Sequence, residues 1–573
     1  MRARWLGRVP YREAWDLQRA IAERSDDDYL LLLEHGPVYT LGVNADPTHV
    51  LVDPAAVGAD VVTVDRGGDV TYHGPGQLIG YPVRSVGAGP HRGPEHVRQV
   101  EEVVIGALLG LGFPVGRVGR LDGYPGVWID PTSTGSGADG PRKIAAIGVR
   151  TARGRTTHGF ALNLSTDLDM FDHIVPCGIA DRPVTSLAAE GMHVTMADAV
   201  AAVLDAARTV WGGIDDVAAV TDGAGTAAVS GGAGGTGEAV AVTLGPPGRG
   251  RGTALERRLT RSGVDPGAGL PISARKPEWL RVQATMADDF LGLQRDIRGL
   301  DLITVCEEAG CPNIFECWSD GTATFMINGS RCTRACGFCQ VDTRHPLPLD
   351  PGEPGRVAAA IARMGLVHAV ITCVARDDLP DGGADAFART IAAVRQMSPG
   401  TAVEVLISDV KGDRGSLDTV LGARPDVLNH NIETVARLQR AVRPSAGYAR
   451  SLTVLARSAA AGLTTKSGII LGMGEREDEV LATLADLRAV GVDIVTLGQY
   501  LRPSTKHLPV ARWWTPEEFD ALRRAGESLG FAHVQASPLT RSSYHAREAA
   551  DASADASAGA PVAVPVPLTA ARP

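Results

Sequence analysis

Cysteine is the residue whose spacing in this sequence most directly indicates chemistry. The chain has 573 residues and 8 cysteines, six of which are grouped in two sets of three. Because the amino terminus lacks the apolar segment of a signal peptide, this clustering favours metal ligation over disulfide bonds. The first set has the spacing C-x₄-C-x₅-C and the second has C-x₃-C-x₂-C: Cys306, Cys311 and Cys317, followed by Cys332, Cys336 and Cys339.

The second set directly follows the apolar run TATFMIN, which predicts a strand, so its three cysteines belong to one loop. Three thiolates can bind three irons of a 4Fe–4S cluster and leave the fourth iron open to a small molecule. Structural zinc is the alternative, but zinc sites usually take four ligands from paired C-x₂₋₄-C units. The first set also lacks a fourth cysteine and implies a second cluster.

The first half of the chain has a different chemical signature, a single cysteine and a single lysine. Cys177 and Lys143 are the only residues of their types before position 276, in a sequence with five lysines and 51 arginines. Taken singly, they are typical of a small buried hydrophobe and a solvated surface charge. Taken together, they favour a nucleophilic thiolate whose pKa is lowered by an ammonium.

Four segments surround this pair: RGGDVTYHGPGQ at 66–77, PRKIAAIGV at 141–149, THGFALN at 157–163 and FDHIVPCGI at 171–179. The first has four glycines in twelve residues, so its backbone can approach a ligand closely. Alone it is equally typical of a tight connection between strands. Together the segments resemble the motifs of lipoyl(octanoyl) transferases, and the resemblance runs from about Trp5 to Trp211.

This resemblance implies the fold of the biotin and lipoate protein ligase catalytic domain and transfer of octanoyl from octanoyl-acyl carrier protein. It implies that Cys177 forms an acyl thioester and that Lys143 lowers the pKa of Cys177 and acts as acid and base. An ATP-dependent lipoate ligase is the alternative, but it activates the acyl group as an adenylate and needs no cysteine, so IVPCGI distinguishes the two. The resemblance implies an acyl pocket lined by Arg66, Gly67, Gly68, Asp69, Val70, Thr71, Tyr72, His73, Ala146, Ile147, Gly148, Gly159, Phe160 and Ala161.

The two cysteine sets, with NHNIETV, TKSGIILGMGE, TLGQYLRPS and RSSYHA further on, resemble lipoyl synthases across nearly all of 276–546. The resemblance implies that the C-x₃-C-x₂-C cluster reduces S-adenosylmethionine to a 5′-deoxyadenosyl radical. It implies that an auxiliary cluster, completed by Ser542 or Ser543, gives sulfur to carbons 6 and 8 of octanoyl. Biotin synthase is the nearest chemical rival, and the C-x₄-C-x₅-C set argues against it.

Several polar residues stand at the ends of predicted strands in the second half. They could bind S-adenosylmethionine or substrate, or serve as structural caps and turn residues. They are Arg376, Asp377, Asn429, Asn431, Glu433, Lys466 and Gln499.

The elements that must position these residues differ between the halves. The first half is predicted to be an α/β domain, with a helix in 94–112 whose apolar residues recur at three- and four-residue steps. In the second half six short β-type runs alternate with helical patterns, which predicts a parallel sheet curved into a partial (β/α) radical-SAM barrel with its chemistry at the carboxyl ends of the strands. We predict a transferase domain at 1–211, a flexible Gly/Ala-rich linker at 212–270, a lipoyl synthase domain at 271–548 and a disordered tail at 549–573.

Composition excludes some functions. A net charge of −10 and 44% hydrophobic residues give no basic patch for nucleic acid, and no apolar run is long enough for a membrane span. We expect a cytoplasmic bifunctional enzyme of two independent halves, with an electron donor such as ferredoxin or flavodoxin. Its expected acceptors are the lipoyl domains of 2-oxoacid dehydrogenase complexes and glycine cleavage H protein. The alternative is that one half is degenerate and only docks lipoyl-domain proteins.

Overall fold

The computed structural model describes both halves of the chain with several gaps. The described residues are 1–87, 89, 91–133, 140–176, 182–214, 216–219, 253–281, 303–304, 313–314 and 322–559. Four cysteines that carry the sequence predictions lie outside these ranges: Cys177, Cys306, Cys311 and Cys317.

The described part of the first half is built on an eight-stranded mixed sheet with the order β11-β1-β2-β6-β10-β9-β8-β7, beside a small sheet β4-β3-β5. The strands are β1 Arg2–Arg8, β2 Tyr29–Glu34, β3 Val38–Leu41, β4 Asp60–Thr63, β5 Val70–His73, β6 Gln77–Val83, β7 Val118–Leu121, β8 Tyr124–Ile129, β9 Arg142–Ala152, β10 Arg155–Asn163 and β11 Asp216–Ala219. The helices are α1 Tyr11–Arg24, α2 Arg92–Gly110 and α3 Met196–Trp211, with short 3₁₀ turns at Pro47–His49, Pro54–Val57 and Leu168–Phe171.

Helix α2 confirms the helix predicted from three- and four-residue apolar spacing. Its residues Val100, Val104, Ala107 and Leu108 are fully buried and belong to one core with strand residues of the main sheet. A helix with one apolar side is stable when that side packs on a sheet, because isolated helices of this length are marginal in water.

The described part of the second half is a sheet with the order β12-β13-β14-β15-β16-β17-β18-β19. Each of the six predicted strands is present, and strands β13 to β19 run parallel, which confirms the α/β fold class and the radical-SAM-type parallel sheet. The strands are β12 Ile303–Thr304, β13 Thr322–Ile327, β14 His368–Cys373, β15 Ala402–Leu406, β16 Val427–Asn429, β17 Thr464–Leu471, β18 Ile494–Gln499 and β19 His533–Ala536.

Helices connect these parallel strands, as right-handed crossovers require. The connecting helices are α5 Glu353–Met364, α6 Ala384–Met397, α7 Arg414–Gly422, α8 Gln439–Val442, α9 Tyr448–Ala460, α10 Glu477–Ala489 and α11 Pro516–Ser528. Helix α4 Ala254–Arg261 precedes the sheet and α12 Ala546–Gly559 follows it, and 3₁₀ turns lie at Pro266–Ala268, Glu278–Leu280, Val410–Gly412 and Ala436–Leu438.

Strands or helices form near both ends of the predicted linker and at the start of the predicted tail. Strand β11 pairs in parallel with β1, and α4 starts at a capping box between Thr253 and Glu256 and buries Leu259. Helix α12 also continues past the predicted start of the tail. A glycine- and alanine-rich composition hid these short elements, because their order depends on packing against other parts of the chain. The segments 220–252 and 560–573 lie outside the described residues.

The two halves share one apolar core. Helix α1 contacts strands β6 and β10 of its own half and helices α9 and α10 of the second half. Leu17 and Ile21 of α1 are 1% and 2% exposed, in the same cluster as Leu452 of α9 and Leu487 of α10. The halves are therefore packed against each other in addition to being joined by the chain.

No helix in the described ranges combines the length and the apolar character needed to cross a membrane.

Substitutions in α2 test which of its sides is buried. Leu108 is fully buried and Leu109 is 37% exposed. Leu108→Ala should lower the free energy of unfolding by about 2–5 kcal/mol, whereas Leu109→Ala should change it by less than about 1 kcal/mol. Urea unfolding of the two variants beside the unchanged chain measures the difference. Equal losses in the two variants would contradict the packing of α2.

Candidate active sites

A partly enclosed cleft lies in the first half, where α1, the segment 66–73, β6, β9 and β10 meet. It contains about 440 Å³ of space, including its open mouth. Its walls combine aromatic and aliphatic side chains with backbone, as binding sites for small apolar ligands commonly do. Its lining residues are Tyr11, Arg66, Gly67, Gly68, Thr71, His73, Tyr81, Ala146, Ile147, Gly148, His158, Gly159, Phe160 and Ala161.

Most residues of the predicted acyl pocket line this cleft, but three do not. Val70 and Tyr72 are buried in a separate small core beneath it. Asp69 binds His49 Nδ1 at 2.5 Å through Oδ2 and the backbone N–H of Val70 at 2.7 Å through Oδ1. Alternate residues of a strand point to opposite faces, so Val70 and Tyr72 of β5 point away from the cleft that Thr71 and His73 line. Together with Asp69 they shape the loop that carries Arg66.

Three cleft residues were not predicted: Tyr11, Tyr81 and His158. His158 stands beside Gly159 in the THGFALN segment, so its position in that motif could have indicated that it lines the cleft. Tyr11 comes from α1, far in sequence from the motifs, and Tyr81 lies on β6, four residues beyond the end of RGGDVTYHGPGQ. No local pattern marks them, because the tertiary fold alone brings them to the cleft.

A bulge in β9 sets the direction of Lys143. Ala145 of β9 lies opposite Val127 of β8. The next pair along β8 is Trp128 with Lys143, which leaves Ile144 as an extra residue in β9. Both Ile144 and Ala145 belong to the core beneath the sheet. The bulge therefore places Lys143 on the face opposite that core.

The Lys143 side chain is held in a narrow space. It is 7% exposed, and its ammonium nitrogen lies 4.9 Å from the centroid of the Trp128 ring, within the range of a cation–π contact. A Cβ at Gly126 would lie 3.2 Å from Lys143 Cε and 2.7 Å from the carbonyl oxygen of Ala145. Glycine at position 126 leaves the room that the lysine fills.

Cys177 lies outside the described residues, but the chain on each side of it is anchored. Before it, the N–H of Val175 donates to the carbonyl of His49 at 2.9 Å. After it, the carbonyl of Pro183 accepts from the N–H of Lys143 at 2.9 Å. Lys143 is thus hydrogen-bonded to a segment that follows Cys177 by six positions.

The inner wall of the cleft is lined by neutral imidazoles. Burial lowers the pKa of His158 to about 3, helped by the Arg66 guanidinium, and burial lowers the pKa of His73 well below its usual value. Burial raises the pKa of Tyr11 to about 12. The Arg66 side chain donates to the carbonyl of Thr40 at 2.6 Å. At neutral pH the cleft therefore has a cationic rim at Arg66 and an uncharged interior.

In the second half, the C-x₃-C-x₂-C cysteines lie on the loop that follows β13. Two backbone hydrogen bonds hold this loop, from the N–H of Cys332 to the carbonyl of Asp342 and from the N–H of Gly337 to the carbonyl of Val442, both at 2.8 Å. The parallel sheet therefore presents this loop, referred to below as the cysteine loop, at the carboxyl end of its strands, where such folds place their chemistry. Its thiols belong to Cys332, Cys336 and Cys339.

The thiols of the cysteine loop are half-buried and lie close enough to affect one another's pKa. Burial raises the pKa of Cys336 to about 12 and that of Cys339 to about 11, and the neighbouring thiols add to both. Within the described ranges, no three His, Cys, Asp or Glu side chains are arranged to hold a single metal ion, whose thiolate ligands would lie only ~4 Å apart.

Four of the strand-end candidates have structural partners. Lys466 Nζ lies 3.1 Å from Glu404 Oε1 inside the barrel, and Gln499 Oε1 accepts from the N–H of Trp514 at 2.8 Å. Asp377 binds the side chain of Arg334 in the cysteine loop, and Arg376 donates to the carbonyl of Asn328. These four side chains hold the barrel and its loops together.

The remaining three candidates have buried oxygens without a hydrogen-bond partner among the described residues: Asn429 Oδ1, Asn431 Oδ1 and Glu433 Oε2. Leaving a buried polar atom unpaired costs about 1–3 kcal/mol, which a polar ligand would offset. Glu433 lies near enough to raise the pKa of both Cys336 and Cys339. Asn431 and Glu433 therefore fit a ligand with charged or polar groups beside the cysteine loop.

Of the two serines in RSSYHA, the structure gives a partner to Ser542. Its hydroxyl accepts a hydrogen bond from Asn431 Nδ2 at 2.6 Å. This contact brings the RSSYHA segment to the carboxyl end of β16 and β17, next to the unpaired oxygen of Asn431.

Family models assign a class to each half. The lipoyl protein ligase A/B catalytic domain matches residues 10–208, which contain the cleft, and the radical SAM superfamily matches residues 326–487, which contain the cysteine loop. The chain thus joins a domain of the lipoyl protein ligase A/B catalytic class to a radical SAM domain. Domains of the second class work with S-adenosylmethionine and iron–sulfur chemistry.

Curated relatives identify the second half more narrowly. The lipoyl synthase of Rubrobacter xylanophilus is 56% identical over 278 residues, which are 48% of this chain and 87% of that protein. The lipoyl synthase of Mycobacterium avium is 53% identical over 300 residues, 52% of this chain and 97% of that protein. The chain belongs to the lipoyl synthase family through its second half, and both halves place it in lipoate biosynthesis.

Solved structures similar to the two halves are more distant. A bipartite lipoate protein ligase from Thermoplasma acidophilum is 18% identical with a TM-score of 0.32, over 39% of this chain and 88% of that one. Methylornithine synthase is 14% identical with a TM-score of 0.28, over 44% of this chain and 79% of that one.

The buried histidine of the cleft predicts a pH dependence of stability. The pKa of His158 is about 3 in the folded protein and ~6.5 when unfolded, so between these values only the unfolded chain binds the proton. Stability therefore falls as the pH decreases from ~6.5, by about 2 kcal/mol at pH 5 for this one group. His158→Asn tolerates the φ of 60° at this position and should make the midpoint of thermal unfolding fall less between pH 7 and pH 5.

The exposed His193 supplies the control for this measurement, because His193→Asn should leave the pH dependence unchanged. If His158→Asn also left it unchanged, His158 would be protonated in the folded protein and the neutral interior of the cleft would be wrong.

Proposed function

We propose that the chain transfers octanoyl from octanoyl-acyl carrier protein to a lysine of lipoyl domains through a Cys177 thioester, and then inserts two sulfur atoms at carbons 6 and 8. The observation that carries the first activity is the apolar cleft of the first half, together with Lys143, which the β9 bulge sets apart from the core and whose backbone N–H donates to Pro183, six positions after Cys177. The surface of the cleft is mainly apolar, which suits the alkyl chain of an octanoyl group.

The transfer takes place in two balanced steps. Lys143 takes the proton of the Cys177 thiol, whose sulfur attacks the carrier-protein thioester; the carrier thiolate leaves and receives that proton. The amine of the acceptor lysine then attacks the new thioester, an amide bond forms, and the sulfur of Cys177 leaves with the proton returned through Lys143.

The second half supplies the sulfur insertion. Cys332, Cys336 and Cys339 would hold one iron–sulfur cluster, and Asn431 and Glu433 would bind S-adenosylmethionine beside it. When bound, these groups supply the one-electron chemistry that activates unreactive carbon–hydrogen bonds.

An auxiliary cluster held by the first cysteine set is proposed as the sulfur source. Ser542 already accepts a hydrogen bond from Asn431 at 2.6 Å, so we assign the fourth ligand to Ser543. Serine is a hard oxygen ligand that binds iron less tightly than a thiolate, which suits a cluster that must release sulfur. The cysteine ligands would be Cys306, Cys311 and Cys317.

The acceptors would be lipoyl domains of 2-oxoacid dehydrogenase complexes and glycine cleavage H protein, and the reductant a small electron carrier such as ferredoxin or flavodoxin. Both steps act on another protein, because the first half attaches octanoyl to a lipoyl domain and that octanoylated domain is the substrate of the second half. A cytoplasmic site for both steps would give access to these partners.

The transfer step should depend on Cys177 and Lys143. Cys177→Ala should abolish octanoyl transfer to an unmodified lipoyl domain, since the nucleophile is gone. Lys143→Ala should slow transfer by about 10²–10⁴-fold, the usual contribution of a general base. Intact-mass spectrometry of the acceptor follows both variants, and the exposed Lys276→Ala is the matched control. Transfer at the normal rate by Lys143→Ala would contradict the pair.

Two further observations separate this function from its alternatives. Transfer without ATP would exclude an adenylating ligase, whereas a strict need for ATP would support it. A lipoyl domain already carrying octanoyl should still gain two sulfurs with the Cys177→Ala variant. If that variant failed on the preloaded domain with its iron content intact, the second activity would depend on the acyl-enzyme.

The cluster assignment predicts iron content. Protein purified without oxygen should hold about eight irons per chain, four per cluster. Replacing all three cysteines of the cysteine loop by alanine should leave about four irons and abolish cleavage of S-adenosylmethionine, while octanoyl transfer continues. Metal analysis with ultraviolet-visible spectra measures this. Zinc in place of iron, or full iron retention by the triple variant, would contradict the assignment.

A further inference from the structure

Helix α1 joins the two halves through charged contacts as well as apolar ones. Asp16 Oδ2 lies 2.8 Å from Arg457 Nε of α9, and neither side chain is more than 18% exposed. Thr453 of α9 donates to the carbonyl of Glu13 at 3.1 Å. Partly buried ion pairs with hydrogen-bonding geometry contribute more than exposed ones. These contacts fix one orientation of α1 on α9.

A second contact pins strand β1 to the second half. Arg4 Nε lies 2.8 Å from both carboxylate oxygens of Asp486 in α10, and both side chains are at most 3% exposed. The Tyr448 hydroxyl donates to the same carboxylate at 2.9 Å, and Arg4 also binds Asp216 of β11 at 2.9 Å. A buried charge that loses its partner is costly. Separating the halves would expose these groups to water or leave them buried without a partner.

A row of charges leads from α1 to the cysteine loop. Glu13 lies 3.0 Å from Arg450 Nε, and Arg450 lies 3.9 Å from Asp409 Oδ2. The other oxygen of Asp409, which is fully buried, lies 2.6 Å from Arg334, a residue of the cysteine loop. The transferase half therefore reaches the radical SAM site through three consecutive ion pairs.

Contacts along α1 also fix its direction relative to the barrel. At its start, Glu13 packs against Gly412, which follows the carboxyl end of β15. At its end, Arg24 packs against Gly491, which precedes the amino end of β18. Helix α1 thus starts at the carboxyl end of the parallel strands, and its first residue, Tyr11, lines the acyl cleft.

We propose that the two halves are docked as one body through α1 and β1, so that the acyl cleft and the cysteine loop lie at the same end of the molecule. An acceptor domain can then meet both sites from one side without the halves changing their relative orientation. Only the identity of that shared partner, a lipoyl domain, rests on the proposed function. The segment 220–252 then connects two surfaces that already bind each other.

Cleavage of the connecting segment tests the docking. A protease recognition sequence inserted between Gly232 and Ala233 allows the folded full-length chain to be cut, and complete cutting is checked on a denaturing gel. The two fragments should elute together in size-exclusion chromatography at about 1 µM, because the shared core and ion pairs remain. Separate elution of two folded fragments would overturn the proposal.

A charge swap ties this association to the contact described. In the cut protein, Asp16→Arg or Arg457→Asp should weaken association of the fragments by about tenfold or more, and the double swap should restore it. Asp205→Arg, at an exposed residue that pairs only within the first half with Arg208, is the matched control. Equal association in both single variants and the control would overturn the α1 interface.

Cross-linking tests the common end. The chain has only five lysines, and Lys411, next to Gly412, is exposed. In Arg12→Lys, a new amine at the start of α1 should be linked to Lys411 by a short amine-reactive reagent. In Arg24→Lys, at the other end of the helix, it should not. The reverse pattern, or no link from Arg12→Lys, would overturn the proposed orientation.

These experiments use no substrate, so their failure is distinguishable from failure of the proposed function. Docked halves that show neither octanoyl transfer nor sulfur insertion would contradict only the proposed function. Separate halves with both activities intact would contradict only the proposed docking.

Discussion

Burial of helix α1 on two sides at once is the constraint on which the architecture depends. One side covers the first-half sheet at β6 and β10, and the other packs against α9 and α10 of the barrel. Fully burying a leucine or isoleucine stabilises a fold by about 1.5–3 kcal/mol, and Leu17 and Ile21 are both buried in this layer. Removing either half would expose one of these faces to water. The same helix carries Tyr11 into the cleft, so the packing between the halves and the acyl site share an element.

The two sites use the sheet in different ways. The barrel presents its chemistry on loops at the carboxyl ends of parallel strands, and a buried network of Lys466 and Glu404 holds the strands beneath. Burial alone would raise the pKa of Glu404, but the ammonium of Lys466 keeps that pKa below its usual value. The first half instead uses the face of a mixed sheet, where a bulge in β9 is needed to aim Lys143. A regular strand would have turned that lysine into the core.

Polar groups inside the two sites are arranged for opposite purposes. In the cleft, burial keeps His73 and His158 neutral, which leaves an apolar interior suited to an alkyl chain. Beside the cysteine loop, unpaired oxygens of Asn431 and Glu433 suit a charged ligand instead. The cleft therefore suits an uncharged ligand, and the site beside the cysteine loop suits a polar one.

The sequence by itself determined the family of each half, the six strands of the barrel, helix α2 and most of the residues around the cleft, because these follow from local periodicity and contiguous motifs. It did not determine that Tyr11, Tyr81 and His158 complete the cleft, or that the ends of the glycine-rich linker are ordered. Nor did it determine that the two halves, which are predicted to work as independent enzymes, pack against each other through α1. Only tertiary structure decides such features, since they depend on contacts between segments far apart in the sequence, such as Arg4 with Asp486, which leave no periodic trace in either segment.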